Sequence, residues 1–140
     1  MPSQIRAHTD SNGAIAVVEA FCEAWSNLDF ESIAALLSDD IVYRNGPLPM
    51  LAGKAPVMDY LSGAGPFDNM EWEILNIASS GNAVLTERID HISRRGQSAA
   101  LPIMGTFEVR EGLIVEWRDY FDLAAYQAQW REGKSDEAGN

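Results

Sequence analysis

A chain of 140 residues suits one domain and leaves little room for a second, and 46% hydrophobic with 22% charged residues excludes wholesale disorder. A formal net charge of −11 disfavours nucleic acid and anionic membrane surfaces as partners. The polar segment 1–10 lacks a signal-type apolar stretch, and no run of about 18 apolar residues could span a membrane, so the expected compartment is the cytoplasm.

Residues 1–11 read as a flexible arm, residues 12–132 as a single α+β domain, and residues 133–140 as a polar, flexible tail. Ile15, Val18, Phe21, Cys22 and Trp25 recur at three- and four-residue spacing, the mark of one helix face, with Ser11 or Asn12 as its cap. A second helix carries Ile33, Leu36 and Leu37 and should be broken by Ser38-Asp39-Asp40. The β-rich run 41–45 follows as a strand, closed by the Gly46-Pro47-Leu48-Pro49 loop. A third helix is expected over 54–61, after Gly53 and with Pro56 in its first turn. Four strands then span 70–79, 83–93, 97–110 and 113–121, separated by Gly-bearing turns that make antiparallel hairpins. A last helix is expected over 123–130. Pro102 inside a strand argues for a local edge or bulge. Helices first and a meander afterwards predict a strongly curved, mixed but mostly antiparallel sheet wrapped around the N-terminal helices as a half-open cone.

Strand alternation assigns the candidate site. Thr86, Arg88, Asp90 and Ile92 share one face, and His91 points away toward the surface. On the final strand Leu113, Val115, Trp117, Asp119 and Phe121 share a face that is apolar apart from Asp119. A carboxylate there must be paired if it is buried, and Arg88 can be its partner, giving an Asp90–Arg88–Asp119 trio. Tyr43 and Asn45 share a face with Ile41 and can together hold one water. Glu87 and Glu116 read as solvated sheet charges, and Arg94-Arg95 as a charged turn. Cys22 reads as a buried small hydrophobe, and His8 and His91 lack metal-ligand spacing, so no metal is expected.

Opening an epoxide needs a base for the attacking water and an acid for the leaving oxygen. Two carboxyls with unequal proton affinity, held by one arginine, can divide that work. From spacing alone, an ion pair without a catalytic role is the commoner arrangement. A proton-transfer enzyme of the ketosteroid isomerase or polyketide cyclase kind, and a module that merely binds an apolar ligand, are the two alternatives.

Three segments, Tyr43-Arg44-Asn45-Gly46-Pro47-Leu48-Pro49, Thr86-Glu87-Arg88-Ile89-Asp90 and Trp117-Arg118-Asp119-Tyr120-Phe121-Asp122-Leu123, resemble the limonene epoxide hydrolase family in order and in gaps. The resemblance runs from about the first helix to Tyr126. It implies a cystatin-like, nuclear-transport-factor-like cone, a homodimer, no cofactor, and hydrolysis of a small apolar epoxide by water. By the same resemblance Asp119 matches the base, Asp90 the acid and Arg88 the bridge, and Tyr43 and Asn45 match the residues that help Asp119 hold the water. Leu101, Ile103, Phe121 and Tyr126 match the apolar substrate wall, to which Ile92 and Trp117 add by sharing a face with Asp90 and Asp119. The stretch with Ala64, Phe67, Asn69 and Trp72 departs from the family pattern.

Overall fold

The structure, a computed structural model, describes residues 13–138, with side chains described from 13 to 130. The expected arm, residues 1–11, and the last two residues lie outside the described part. Helix α1 spans Ala14–Ser26 and buries Val18, Phe21, Cys22 and Trp25 along its periodic face. Its N-cap is Gly13, without a side-chain capping bond, rather than Ser11 or Asn12. Helix α2, Phe30–Leu36, begins at Asp29, whose carboxylate accepts from the Ser32 backbone N–H at 3.1 Å.

Helix α2 does stop before Ser38-Asp39-Asp40, but these residues belong to strand β1, Leu37–Asn45, rather than to a loop. Leu37 leaves the helix directly into extended backbone and stays fully buried, paired with Ile114. Burial and pairing here override the turn preference of the three polar residues. A two-residue strand, β2 (Leu51–Ala52), went unforeseen because nothing in so short a segment marks it; it pairs with Val42 and Tyr43. Helix α3 is Lys54–Gly63. Strands β3 (Asn69–Ser80), β4 (Ala83–Arg94), β5 (Gln97–Arg110) and β6 (Leu113–Tyr120) follow, then helix α4, Leu123–Ala138. In the Arg95-Gly96 and Glu111-Gly112 turns both residues have positive φ, as the tightest hairpins require.

The six strands form one sheet in the order β2-β1-β6-β5-β4-β3, antiparallel except for β1 against β6. Helix α1 touches β3, β4, β5 and β6, which is the wrapping of a curved sheet around a helix in its concavity. Phe21 of α1 meets Trp72, Phe107 and Trp117 edge-on at 5.9, 5.8 and 5.1 Å, and Trp25 stacks on Trp72 at 5.1 Å. This aromatic cluster is the floor on which the polar site rests. Among the described residues, no helix is long and apolar enough to cross a membrane.

Two irregularities decide which side chains face inward. Strand β5 outruns β6, whose last partner on it is Met104, so the β5 segment before Met104 has a free edge. There Gln129 of α4 takes the place of a strand, donating to Ala100 O at 2.8 Å and accepting from Ala100 N–H at 2.9 Å. Pro102, two residues on, turns its nitrogen to the same free side and forfeits no ladder bond. The second irregularity is a register shift between β5 and β6, where Glu108 pairs with Glu116 but Val109 with Ile114. The extra residue reverses the alternation, so Ile114 is buried and Val115 is not, contrary to the expected face. Beyond the bulge, Trp117 and Asp119 keep their inward positions.

Candidate active site

Strand β4 lays Thr86, Arg88, Asp90, Ile92 and Arg94 in one inward row. Thr86, Arg88 and Asp90 are buried, as is Asp119 on β6. Arg88 donates from Nε and Nη2 to the two oxygens of Asp90, both at 3.0 Å. It reaches Asp119 from Nη1 and Nη2 at 3.4 and 3.3 Å, and Thr86 Oγ1 from Nη1 at 3.0 Å. All five of its N–H donors therefore have an acceptor. The guanidinium also lies over the Trp72 ring, 4.1 Å from its centroid. Thr86 relays the arrangement by donating to Gly105 O at 3.0 Å.

Gly105 sits between Thr86 and Asp119, its partners across β4 and β6. A Cβ there would collide with Arg88 Nη1 and stand 2.5 Å from Asp119 Oδ1. Its φ is not positive, so glycine serves space here and not backbone freedom. The missing side chain is the room the trio occupies.

Parallel pairing of β1 with β6 brings Tyr43 beside Trp117 and Asn45 beside Asp119. The Tyr43 ring stacks on Trp117 at 3.9 Å. Asn45 Nδ2 donates to the Tyr60 hydroxyl at 2.8 Å, which leaves the carboxamide oxygen as an acceptor. Asp90, Asp119, Tyr43 and Asn45 all line a cavity of about 200 Å³. Arg88 is not on its surface; it lies behind the two carboxylates. Leu101, Ile103, Phe121, Tyr126, Ile92 and Trp117 line the same cavity, together with Trp25, Met70 and Trp72. Among the described residues, no group of three or more His, Cys, Asp or Glu side chains is placed to hold a metal ion.

The limonene-1,2-epoxide hydrolase catalytic domain matches residues 12–131. The chain belongs to the limonene-1,2-epoxide hydrolase family. It is 38% identical to epoxide hydrolase EphG of Mycobacterium tuberculosis (strain ATCC 25618 / H37Rv) over 106 residues, 76% of this chain and 71% of that protein. A solved LEH-like epoxide hydrolase of M. tuberculosis superposes with a TM-score of 0.77 at 34% identity, over 89% of this chain and 94% of that one. A protein of ketosteroid isomerase-like fold from Catenulispora acidiphila DSM 44928 superposes at 0.71 with 19% identity, over 86% and 93% of the two chains, a likeness of fold alone. The protein is thus a hydrolase of the epoxide-opening class, on the cone that the sequence predicted.

The electrostatics of this epoxide hydrolase separate Asp90 from ordinary surface acids. Burial raises the Asp90 carboxyl to about 6, with Arg88 pulling the other way. Burial opposes the charge on Arg88, but Asp119 and Asp90 outweigh it, and its pKa rises. Burial pushes Tyr43 well above the usual phenol value, and Asp119 adds to the shift. The Cys22 thiol is pushed by burial up to about 12, so it stays a thiol in the core as its sequence setting suggested.

Asp90 also makes stability depend on pH. Folding raises its proton affinity, so its contribution is complete below the unfolded value, about 3.9, and is lost as pH rises through the folded one. Relative to Asp90→Asn, the wild-type protein should lose on the order of 3 kcal/mol between about pH 4 and pH 7, read by urea denaturation. Any pH-independent effect of the substitution drops out of that slope. A flat difference across the range would contradict a raised Asp90.

Three features of this epoxide hydrolase escaped the sequence. Tyr60 joins the site through Asn45, and no periodic signal marks it, because it lies beside the Val57 and Leu61 face of α3 rather than on it. Gly105 reads as a generic strand glycine until its cross-strand neighbours are known. Arg94 is not part of a turn: β4 continues through it and turns it into the cavity, while Arg95, at φ 52, makes the turn. His91 stays outside, paired with Glu73 at 2.9 Å, as alternation predicted. Glu116 does not stand free, since Arg118 bridges it to Glu108.

Proposed function

We propose that the enzyme adds water to an apolar epoxide in one step and releases a vicinal diol, with residues 12–132 as the catalytic unit. Asp119 accepts one proton of a water held by the Tyr43 hydroxyl and the Asn45 carboxamide oxygen. The water oxygen bonds to a ring carbon, the carbon–oxygen bond of the ring breaks, and the leaving oxygen takes the proton of Asp90. The site resets when Asp119 releases its proton and Asp90 takes one up. No covalent intermediate forms.

The observation that carries this reading is two cavity-facing carboxyls fastened to one saturated guanidinium, one of them with raised proton affinity. Burial keeps a proton on Asp90 up to about pH 6, far closer to neutrality than on an ordinary carboxyl, which suits it to the part of the acid. Ile92, Leu101, Ile103 and Phe121 favour a terpene-like, cyclic or lipid-like epoxide. Enzyme in excess over cyclohexene oxide in heavy-oxygen water should give labelled diol in the first turnover. Unlabelled first-turnover diol, with label appearing later in an aspartate peptide, would establish a covalent ester instead.

The enzyme is further proposed to work as a homodimer in the cytoplasm. Leu85, Met104 and Tyr120 are exposed on the outer sheet face, with Met104 and Tyr120 directly paired, which gives an apolar patch suited to a second copy. Light scattering at micromolar concentration distinguishes the dimer from the monomer.

A further inference from the structure

The cavity has two ends of different chemistry. Asp90 and Asp119 occupy one, and Arg94 the other. Arg94 is the only cationic side chain among the described residues lining the cavity. It closes the inward row of β4, four residues past Asp90, which places its backbone about 13 Å away along the extended strand. Its Nη1 donates to Ala64 O at 2.8 Å, and its guanidinium packs over Trp130 at 4.6 Å, with Phe67 at 6.0 Å. The head is therefore fixed at a rim made by β4, α4 and the segment after α3.

What it lacks among the described residues is an acceptor of opposite charge. Arg88 is tied to two aspartates, and Arg118 to Glu108 and Glu116. Among the described residues, no carboxylate lies within ion-pairing distance of Arg94. Ala64 O uses one of its five donors. The neighbouring Trp130 contributes a buried indole N–H that also has no acceptor. This corner gathers positive charge and N–H groups, and the described residues supply nothing anionic to meet them. Partial burial against aromatic rings strengthens an ion pair made there relative to one on the open surface.

We propose that this corner is a subsite for a carboxylate, and that the preferred substrate is an amphipathic epoxide with its ring at Asp90 and Asp119 and an acid group at Arg94. The apolar wall between them holds the connecting hydrocarbon, with Ile92 midway along the row. The proposal rests on the epoxide hydrolase reading of the same cavity. The chain's charge of −11 opposes the approach of an anion at long range, so the pairing is best measured at physiological salt, where that field is screened beyond about 8 Å.

The test compares two unreactive probes of equal length, decanoate and 1-decanol, by calorimetric titration into the whole protein. Wild-type protein should bind decanoate at least about tenfold tighter than decanol. That ratio should fall to near one in Arg94→Gln and be partly kept in Arg94→Lys. A wild-type ratio near one overturns the proposal without reference to any variant. So does an Arg94→Gln protein that binds both probes more weakly but keeps the ratio, since Arg94 would then merely support the wall. Diol formation from neutral cyclohexene oxide is followed alongside. Diol without carboxylate preference removes the acid subsite alone, and carboxylate preference without diol removes the hydrolase reading alone.

Discussion

Replacing Asp119 with asparagine should lower the rate of diol formation by at least about 10²- to 10⁴-fold, the usual worth of a positioned base. The amide keeps the shape of the side chain and still offers Arg88 an oxygen, but it cannot take a proton from water. Asp90→Asn should lose a comparable factor by the opposite failure, since the leaving oxygen would depart unprotonated. Both variants keep the packing of Trp117 and Trp72 around the site, so near-ultraviolet circular dichroism should match the wild type. Turnover within tenfold of normal in either variant would remove that residue from the chemistry. The pair also separates hydrolysis from proton shuffling beside a carbonyl, because only hydrolysis puts solvent oxygen into the product.

Loss of Arg88 should be the most damaging single change to the fold at neutral pH. Arg88→Met leaves Asp90 and Asp119 buried with their shared partner gone, and stranding buried charge in this way typically costs about 3–5 kcal/mol. Thr86 loses a donor at the same time. Two adjacent carboxyls without a cation bind protons more tightly than before, so the destabilisation should shrink as pH falls toward about 4. Arg88→Lys keeps the charge but supplies a compact head that cannot span both aspartates and Thr86, and should fall between the two. Urea denaturation at several pH values checks the series. A pH-independent cost would show that lost packing on Trp72, rather than stranded charge, dominates.

Much of this was legible because the relevant periodicities are local. The three- and four-residue spacing in α1 named the buried face, and alternation along β4 placed Arg88 and Asp90 together and His91 outside. The pairing of Arg88 with Asp119 was legible only as a need, because an aspartate amid Trp and Phe must find a cation. What stayed hidden depends on contacts between distant segments. The bulge that exchanges Ile114 for Val115 arises from how β5 and β6 align, and neither strand announces it. Leu37 turns from helix to strand because Ile114 is there to pair with it. Arg94 looked like turn chemistry because Arg-Arg-Gly is good turn chemistry, yet the turn consumes only its second and third residues.

Gly105 has a use in sorting sequences. Cones of this architecture serve several chemistries, and a Thr-x-Arg-x-Asp strand can arise in any of them as an ordinary charged strand. Only where the residue paired with Thr86 on one side and with Asp119 on the other is glycine can the guanidinium lie between two aspartates. A homologue with the three charged positions intact but alanine or serine at this place has lost the seat of the trio while keeping its signature. Searches that weigh the blank position together with the charged ones should separate water-adding members from look-alikes.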